Sequence, residues 1–123
     1  MTTFNDLGLI PALLDAISAR GFETPTHIQA EMIPFLLNED RDVTGLAQTG
    51  TGKTAAFGLP ILQKLDIESR TTQALILAPT RELCMQVSRE LSDYGRNLNG
   101  LSTATVYGGA AFGPQIRDLK AGA

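Results

Sequence analysis

The chain has 123 residues, 43% of them hydrophobic and 19% charged, and a formal net charge of −3 at pH 7. That length allows one domain at most, with a real core. The composition reads as soluble and globular, and no apolar run is long enough to span a bilayer. The acidic balance argues against a general nucleic-acid binder with a basic surface, so any such role must rest on a few placed groups or on sequence outside these residues.

The opening residues, Met1 to Asp6, are neither basic nor apolar, which predicts no signal peptide. Ile10, Leu13, Leu14 and Ile17 recur at helical spacing, so the first helix has one apolar face. Pro11 suits its first turn, and Gly21 suits the left-handed residue that ends it. Residues 21–25 turn the chain. A second helix starts near Thr26 and carries Ile28 and Ile33, and Pro34 is expected to kink or restart it. A polar loop over 38–42 leads to a short, mostly apolar run, 42–47, with the character of a buried strand.

The string Ala47-Gln48-Thr49-Gly50-Thr51-Gly52-Lys53-Thr54 carries the most information in the chain. Gly50 and Gly52 let the backbone curl so that successive N–H groups point into one hollow. An anion there also meets the N-terminus of the helix that follows. Lys53 adds a charge able to reach terminal phosphates, and the Thr54 hydroxyl suits Mg²⁺, a hard oxygen-seeking ion. The common pattern G-x-x-x-x-G-K-[ST] opens on glycine, where this chain has Ala47. The order strand, glycine loop, helix is nevertheless the one the motif requires. The bland alternative is an ordinary Gly/Thr-rich turn, with Thr54 a simple helix cap.

The next helix is expected over 54–65, kinked or broken at Pro60. A polar loop over 66–73 precedes Ala74-Leu75-Ile76-Leu77-Ala78, an apolar run typical of a strand covered on both faces. Arg81 to about Asn97 is amphipathic, with a stripe of Leu83, Val87 and Leu91. Its Cys84, the only cysteine, excludes an internal disulfide and fits a reducing cytoplasm. With the single histidine, His27, far away in sequence, Cys84 reads as a small buried thiol rather than a nucleophile. A third strand spans 102–107, Gly108-Gly109 breaks it, and a last short helix over 114–120 turns Ile116 and Leu119 inward. Strands separated by helices predict an α/β fold, with right-handed crossovers and a parallel sheet flanked by helices. Three strands would leave apolar surface uncovered, which suggests a fragment.

Three separated strings resemble those of the DEAD-box ATP-dependent RNA helicases. Phe4, followed by Gly21-Phe22-Glu23-Thr24-Pro25-Thr26-His27-Ile28-Gln29, resembles the Q motif with its upstream aromatic. Ala47 to Thr54 resembles motif I, in which this family normally carries the alanine. Pro79-Thr80-Arg81-Glu82-Leu83-Cys84-Met85-Gln86 resembles motif Ia, with Cys84 where many members have alanine. Gly108-Gly109 resembles the family's GG element, and the run before the phosphate loop is similar to the bacterial branch. The Asp-Glu-Ala-Asp string, the Ser-Ala-Thr element and the second RecA-like domain with its arginine fingers do not occur in these residues. The resemblance therefore implies the first part of an N-terminal RecA-like (P-loop NTPase) domain. Residues 1–30 would form the Q-motif region and 42–123 an incomplete P-loop core. It further implies a cytoplasmic RNA helicase that hydrolyses ATP in the parent protein and an inactive fragment when isolated.

The same resemblance implies ATP and Mg²⁺ as cofactors. Phe4, Phe22, Thr24 and Gln29 would contact the nucleotide on one side. Gln48, Thr49, Gly50, Thr51, Gly52, Lys53 and Thr54 would do so on the other, with Lys53 and Thr54 catalytic and Thr54 on the metal. A carboxamide at Gln29 offers a donor and an acceptor that fit the adenine edge, yet Thr26-x-x-Gln29 is equally a capping box. Phe4 would pack on the base or serve as a core anchor. By resemblance, Pro79, Thr80, Arg81, Gly108 and Gly109 contact RNA through its backbone, independently of sequence and sensitive to salt. Their alternatives are helix capping, a surface ion pair with Glu82 or Glu90, and a plain turn. A non-catalytic nucleotide-binding or interaction module is the competing class. A small P-loop kinase fits less well, because nothing after Thr54 suggests an acceptor site.

Overall fold

The computed structural model describes Met1–Ala123. A 3-10 turn at Phe4–Asp6 is followed by five helices: α1 Pro11–Ala19, α2 His27–Asn38, α3 Lys53–Lys64, α4 Arg81–Tyr94 and α5 Phe112–Lys120. The opening turn is set by local polar chemistry. Asp6 accepts from the Thr3 backbone N–H at 2.7 Å and from its hydroxyl at 3.0 Å, and these bonds hold the Asp6 carboxyl below its ordinary 3.8.

Helix α1 begins with Pro11 in its first turn and ends on Gly21 at φ +80°. The Gly21 N–H donates to the Ser18 carbonyl at 2.9 Å and the Phe22 N–H to the Ile17 carbonyl at 3.3 Å, the paired bonds of a Schellman stop. Thr26 caps α2 and Thr80 caps α4, each hydroxyl accepting from the backbone N–H three residues on. Helix α3 is the centre of the body, lying against α2 and α4 while α1 also meets α4. The core gathers Phe4, Leu7, Leu9, Leu13, Ile17, Ile33, Leu59, Leu62, Val87, Leu91 and Tyr94. Gly58 brings α3 close to α4, since a Cβ there would lie 2.6 Å from Leu91 Cδ2.

Several details depart from expectation. Neither Pro34 nor Pro60 interrupts its helix. Pro60 is fully buried, and packing of this kind overrides local helix propensity. The runs 42–47, 74–78 and 102–107 share no backbone hydrogen bond with one another within these residues. The run 74–78 is also uncovered, with Leu75 81% and Leu77 86% exposed. Both 74–78 and 102–107 line a slot of about 560 Å³. The last helix starts at Phe112, and Ile116 and Leu119 are exposed, because α5 turns Gln115 inward to donate to the Tyr107 carbonyl at 3.2 Å.

The run 102–107 is instead held to α4 by side chains. The Ser88 and Thr105 hydroxyls share a hydrogen bond of 2.5 Å, and those of Ser92 and Thr103 one of 3.4 Å. The Cys84 thiol, half-buried rather than buried, faces the Val106 carbonyl at 3.8 Å. Leu59→Ala should lower the stability of the chain by about 2–5 kcal/mol, whereas Leu77→Ala should change it by less than about 0.5 kcal/mol; urea midpoints of the two variants check this contrast.

Candidate functional site

The loop before α3 is built for an anion. Gly50 and Gly52 have φ +80° and +79°, the left-handed region where glycine carries no steric cost. The Thr51 hydroxyl donates to the Gln48 carbonyl at 2.6 Å and closes the turn. No backbone N–H from Thr49 to Thr54 donates to any group of the protein. Lys53 and Thr54 occupy the first turn of α3, where unpaired amides and the helix dipole favour negative charge. Lys53 is exposed and forms no ion pair. The Thr54 hydroxyl makes no hydrogen bond within the chain, and no group of three His, Cys, Asp or Glu residues stands where it could hold a metal by itself.

Gln29 joins this loop to α2. Its Oε1 accepts from the Thr26 N–H at 2.9 Å and its Nε2 donates to the Gly52 carbonyl at 3.2 Å. The capping box read from the sequence is therefore present. It leaves Gln29 one N–H and one lone pair uncommitted, with the residue 7% exposed.

A cavity of about 580 Å³ gathers Phe4, Phe22, Thr24, Gln29, Thr49, Gly50, Gly52, Lys53 and Thr54. Of the nucleotide-side residues expected from the sequence, Gln48 and Thr51 alone do not line it. Phe4 belongs to both the cavity wall and the hydrophobic core. The sequence reading missed Arg20, Gln86, Glu90 and Tyr94, which complete the wall from α1 and α4. Gln86 ends the motif Ia string, no motif marks the other three, and only the helix packing brings them there. Burial pushes the Tyr94 hydroxyl above its ordinary 10.0, against the opposing pull of the Arg20 charge.

The second expected group also comes together. Pro79, Thr80, Arg81 and Gly108 border the slot. Gly109, at φ +87°, lies beside the Arg81 guanidinium, since a Cβ there would be 3.5 Å from Nη1. Arg81 also sits 5.9 Å from the Tyr107 ring centroid. The Thr80 hydroxyl is engaged as the α4 cap, accepting from the Leu83 N–H at 3.1 Å. Arg81 has no ion pair with Glu82 or Glu90, so the surface-pair alternative is not realised.

Residues 26–123 match the family model described as DEAD/DEAH box helicase. The chain belongs to this family. It is 51% identical over 121 residues to the ATP-dependent RNA helicase DeaD of Escherichia coli K12, covering 98% of this chain and 19% of that protein. Among solved structures, it is similar to the RNA helicase Prp28 of Chaetomium thermophilum bound to ADP, with TM-score 0.86, 38% identity, and coverage of 99% of this chain and 30% of that one. It is also similar to S. cerevisiae Dbp5 bound to RNA and ADP BeF3, with TM-score 0.80, 35% identity, and coverage of 89% and 29%. The fold of this DEAD/DEAH box chain is thus part of a RecA-like domain, and the chain spans about a fifth of the length of its curated relative. No helix is long and apolar enough to cross a membrane.

Gly52→Ala tests the loop geometry directly. A Cβ at this position would collide with Gln29 Nε2, and an L-residue there adds about 1–2 kcal/mol of left-handed strain. The variant should lose at least that much stability in thermal melts, and NMR should report the Gln29 side-chain amide displaced.

Proposed function

We propose that this chain is the ATP-binding N-terminal portion of an ATP-dependent RNA helicase, which couples nucleotide binding and hydrolysis to RNA binding and remodelling in the full-length protein. The observation that carries the reading is the loop itself. Its amides from Thr49 to Thr54 are free, its two glycines are left-handed, Lys53 is unpaired, and all but Thr51 line one cavity with Phe4, Phe22 and Gln29. The printed descriptions of DeaD as an ATP-dependent RNA helicase, and of Prp28 and Dbp5 with ADP and RNA, support the same reading.

In this reading the loop amides hold the α- and β-phosphates, and Lys53 reaches the β/γ oxygens where charge shifts as the bond breaks. Thr54, in the first turn of α3, has an uncommitted hydroxyl fit for Mg²⁺, which would neutralise phosphate charge when bound. Gln29 does two jobs at once. Its spent N–H and lone pair fix the helix start to the loop, and the remaining pair match the N6 donor and N7 acceptor of adenine, an edge on which guanine presents O6. Phe4 packs on the base from the core side, with Phe22 and Thr24 at the rim.

Arg81, Gly108 and Gly109 form the RNA-facing group. Arg81 offers a planar fork to phosphate, the glycines permit close backbone approach, and Thr80 holds the helix start from which Arg81 projects. Residues 1–123 alone contain no Asp-Glu-Ala-Asp string, so they bind rather than hydrolyse the nucleotide.

In the full-length protein, Lys53→Ala should abolish ATP hydrolysis, while Gln29→Ala should reduce discrimination of ATP from GTP. Steady-state hydrolysis with both nucleotides tests this, and undiminished turnover by the Lys53 variant rejects the assignment. Arg81→Ala should weaken binding to all RNA sequences alike and reduce the slope of log affinity against log salt by about 1. Filter binding across a salt series reads that slope, and loss confined to one RNA sequence would contradict backbone recognition.

A further inference from the structure

Arg20 lies on the cavity wall beside Phe4, Phe22, Gln29 and Lys53, yet no motif contains it and the proposed chemistry does not use it. It is the C-cap of α1, so the Schellman stop that follows folds Phe22 back toward it. Its guanidinium carbon is 4.6 Å from the centroid of the Tyr94 ring and 5.5 Å from that of Phe22. Tyr94 is buried in the core at the end of α4, whereas Phe22 is largely exposed at the rim. The cation therefore bridges a fixed ring and an otherwise loosely held one.

Two further facts leave this bridge without competition. Arg20 has no salt bridge, and its Nη1 is buried with no hydrogen-bond partner. Glu90 Oε2, also on the cavity wall, is likewise buried and unpartnered. The charged groups acting on Tyr94 are Arg20, Glu90 and Asp93. With one guanidinium nitrogen buried and no carboxylate within ion-pair distance, the contacts with the two rings are what hold the partly desolvated cation, and cation–π attraction strengthens with desolvation.

We propose that Arg20 is a positioning residue for nucleotide binding: through the Tyr94–Arg20–Phe22 stack it fixes Phe22 at the base end of the cavity and so raises affinity for the base without touching the phosphates. The proposal rests on the nucleotide reading of the cavity. It separates the two ends of the ligand, because Lys53 and the loop amides serve the triphosphate and the stack serves the base. Lysine keeps the charge at this position and loses the planar face that lies on a ring, so it should replace Arg20 only in part.

The test is equilibrium binding of ATP and of inorganic tripolyphosphate to the full-length protein and its Arg20→Met, Arg20→Lys and Lys53→Ala variants, with steady-state KM and kcat for ATP. Arg20→Met should weaken ATP binding and raise KM by about five-fold, the order expected for losing a partly desolvated cation–π contact. Tripolyphosphate affinity and kcat at saturating ATP should not change, and Arg20→Lys should fall between wild type and Arg20→Met. An Arg20→Met protein with unaltered ATP affinity overturns the proposal, as does one that loses ATP and tripolyphosphate equally, which would mark a merely structural role. A Lys53→Ala protein that binds both ligands as wild type does would overturn the nucleotide reading, and this proposal with it.

Discussion

The bond from Gln29 to the Gly52 carbonyl is the constraint on which the site depends. It ties the start of α2 to the residue that launches α3, across 23 positions of sequence. The same side chain closes the Thr26 cap, so one carboxamide sets the ends of two helices relative to each other. The tie is possible only because Gly52 has no side chain, since the space a Cβ would take is filled by Gln29 Nε2. Backbone conformation and packing make the same demand of that residue, and both favour glycine.

From that joint the remaining geometry follows. Helix α3 carries Lys53 and Thr54 at its mouth and buries Ala55, Ala56, Leu59 and Leu62 along its body. The loop that presents unpaired amides to an anion is therefore anchored at the centre of the core. Helix α4, packed on α3, closes the cavity with Glu90 and Tyr94 and carries Arg81 as its first residue, beside Gly109. The two candidate sites thus draw on one helix, whose Gln86, Glu90 and Tyr94 line the loop's cavity and whose first residue is Arg81.

How much of this was legible in the sequence depended on range. Helix positions, the Gly21 stop, the Thr26 and Thr80 caps and the glycine loop are local, and each was readable from a few adjacent residues. The family was legible as well, because Gly21 to Gln29, Ala47 to Thr54 and Pro79 to Gln86 are specific strings. What failed was contact between distant parts. The apolar run 74–78 has strand character, but a ladder needs a neighbour at hydrogen-bonding distance, and pattern alone does not say whether one is there. Pro34 and Pro60 looked like breaks because local propensity was weighed without the packing that holds both helices together. Arg20 and Tyr94 were invisible for the same reason, since nothing in the spacing of the two residues indicates that α1 and α4 meet.

The bare edges along the slot have a consequence for the life of the polypeptide. Leu75, Leu77 and Val106 stand in solvent on segments that share no backbone ladder, which is the chemistry of an adhesive template. While it is uncovered, such a surface is open to pairing with a complementary strand. Residues 74–78, aliphatic and bare, are therefore where one copy of this chain would first adhere to another.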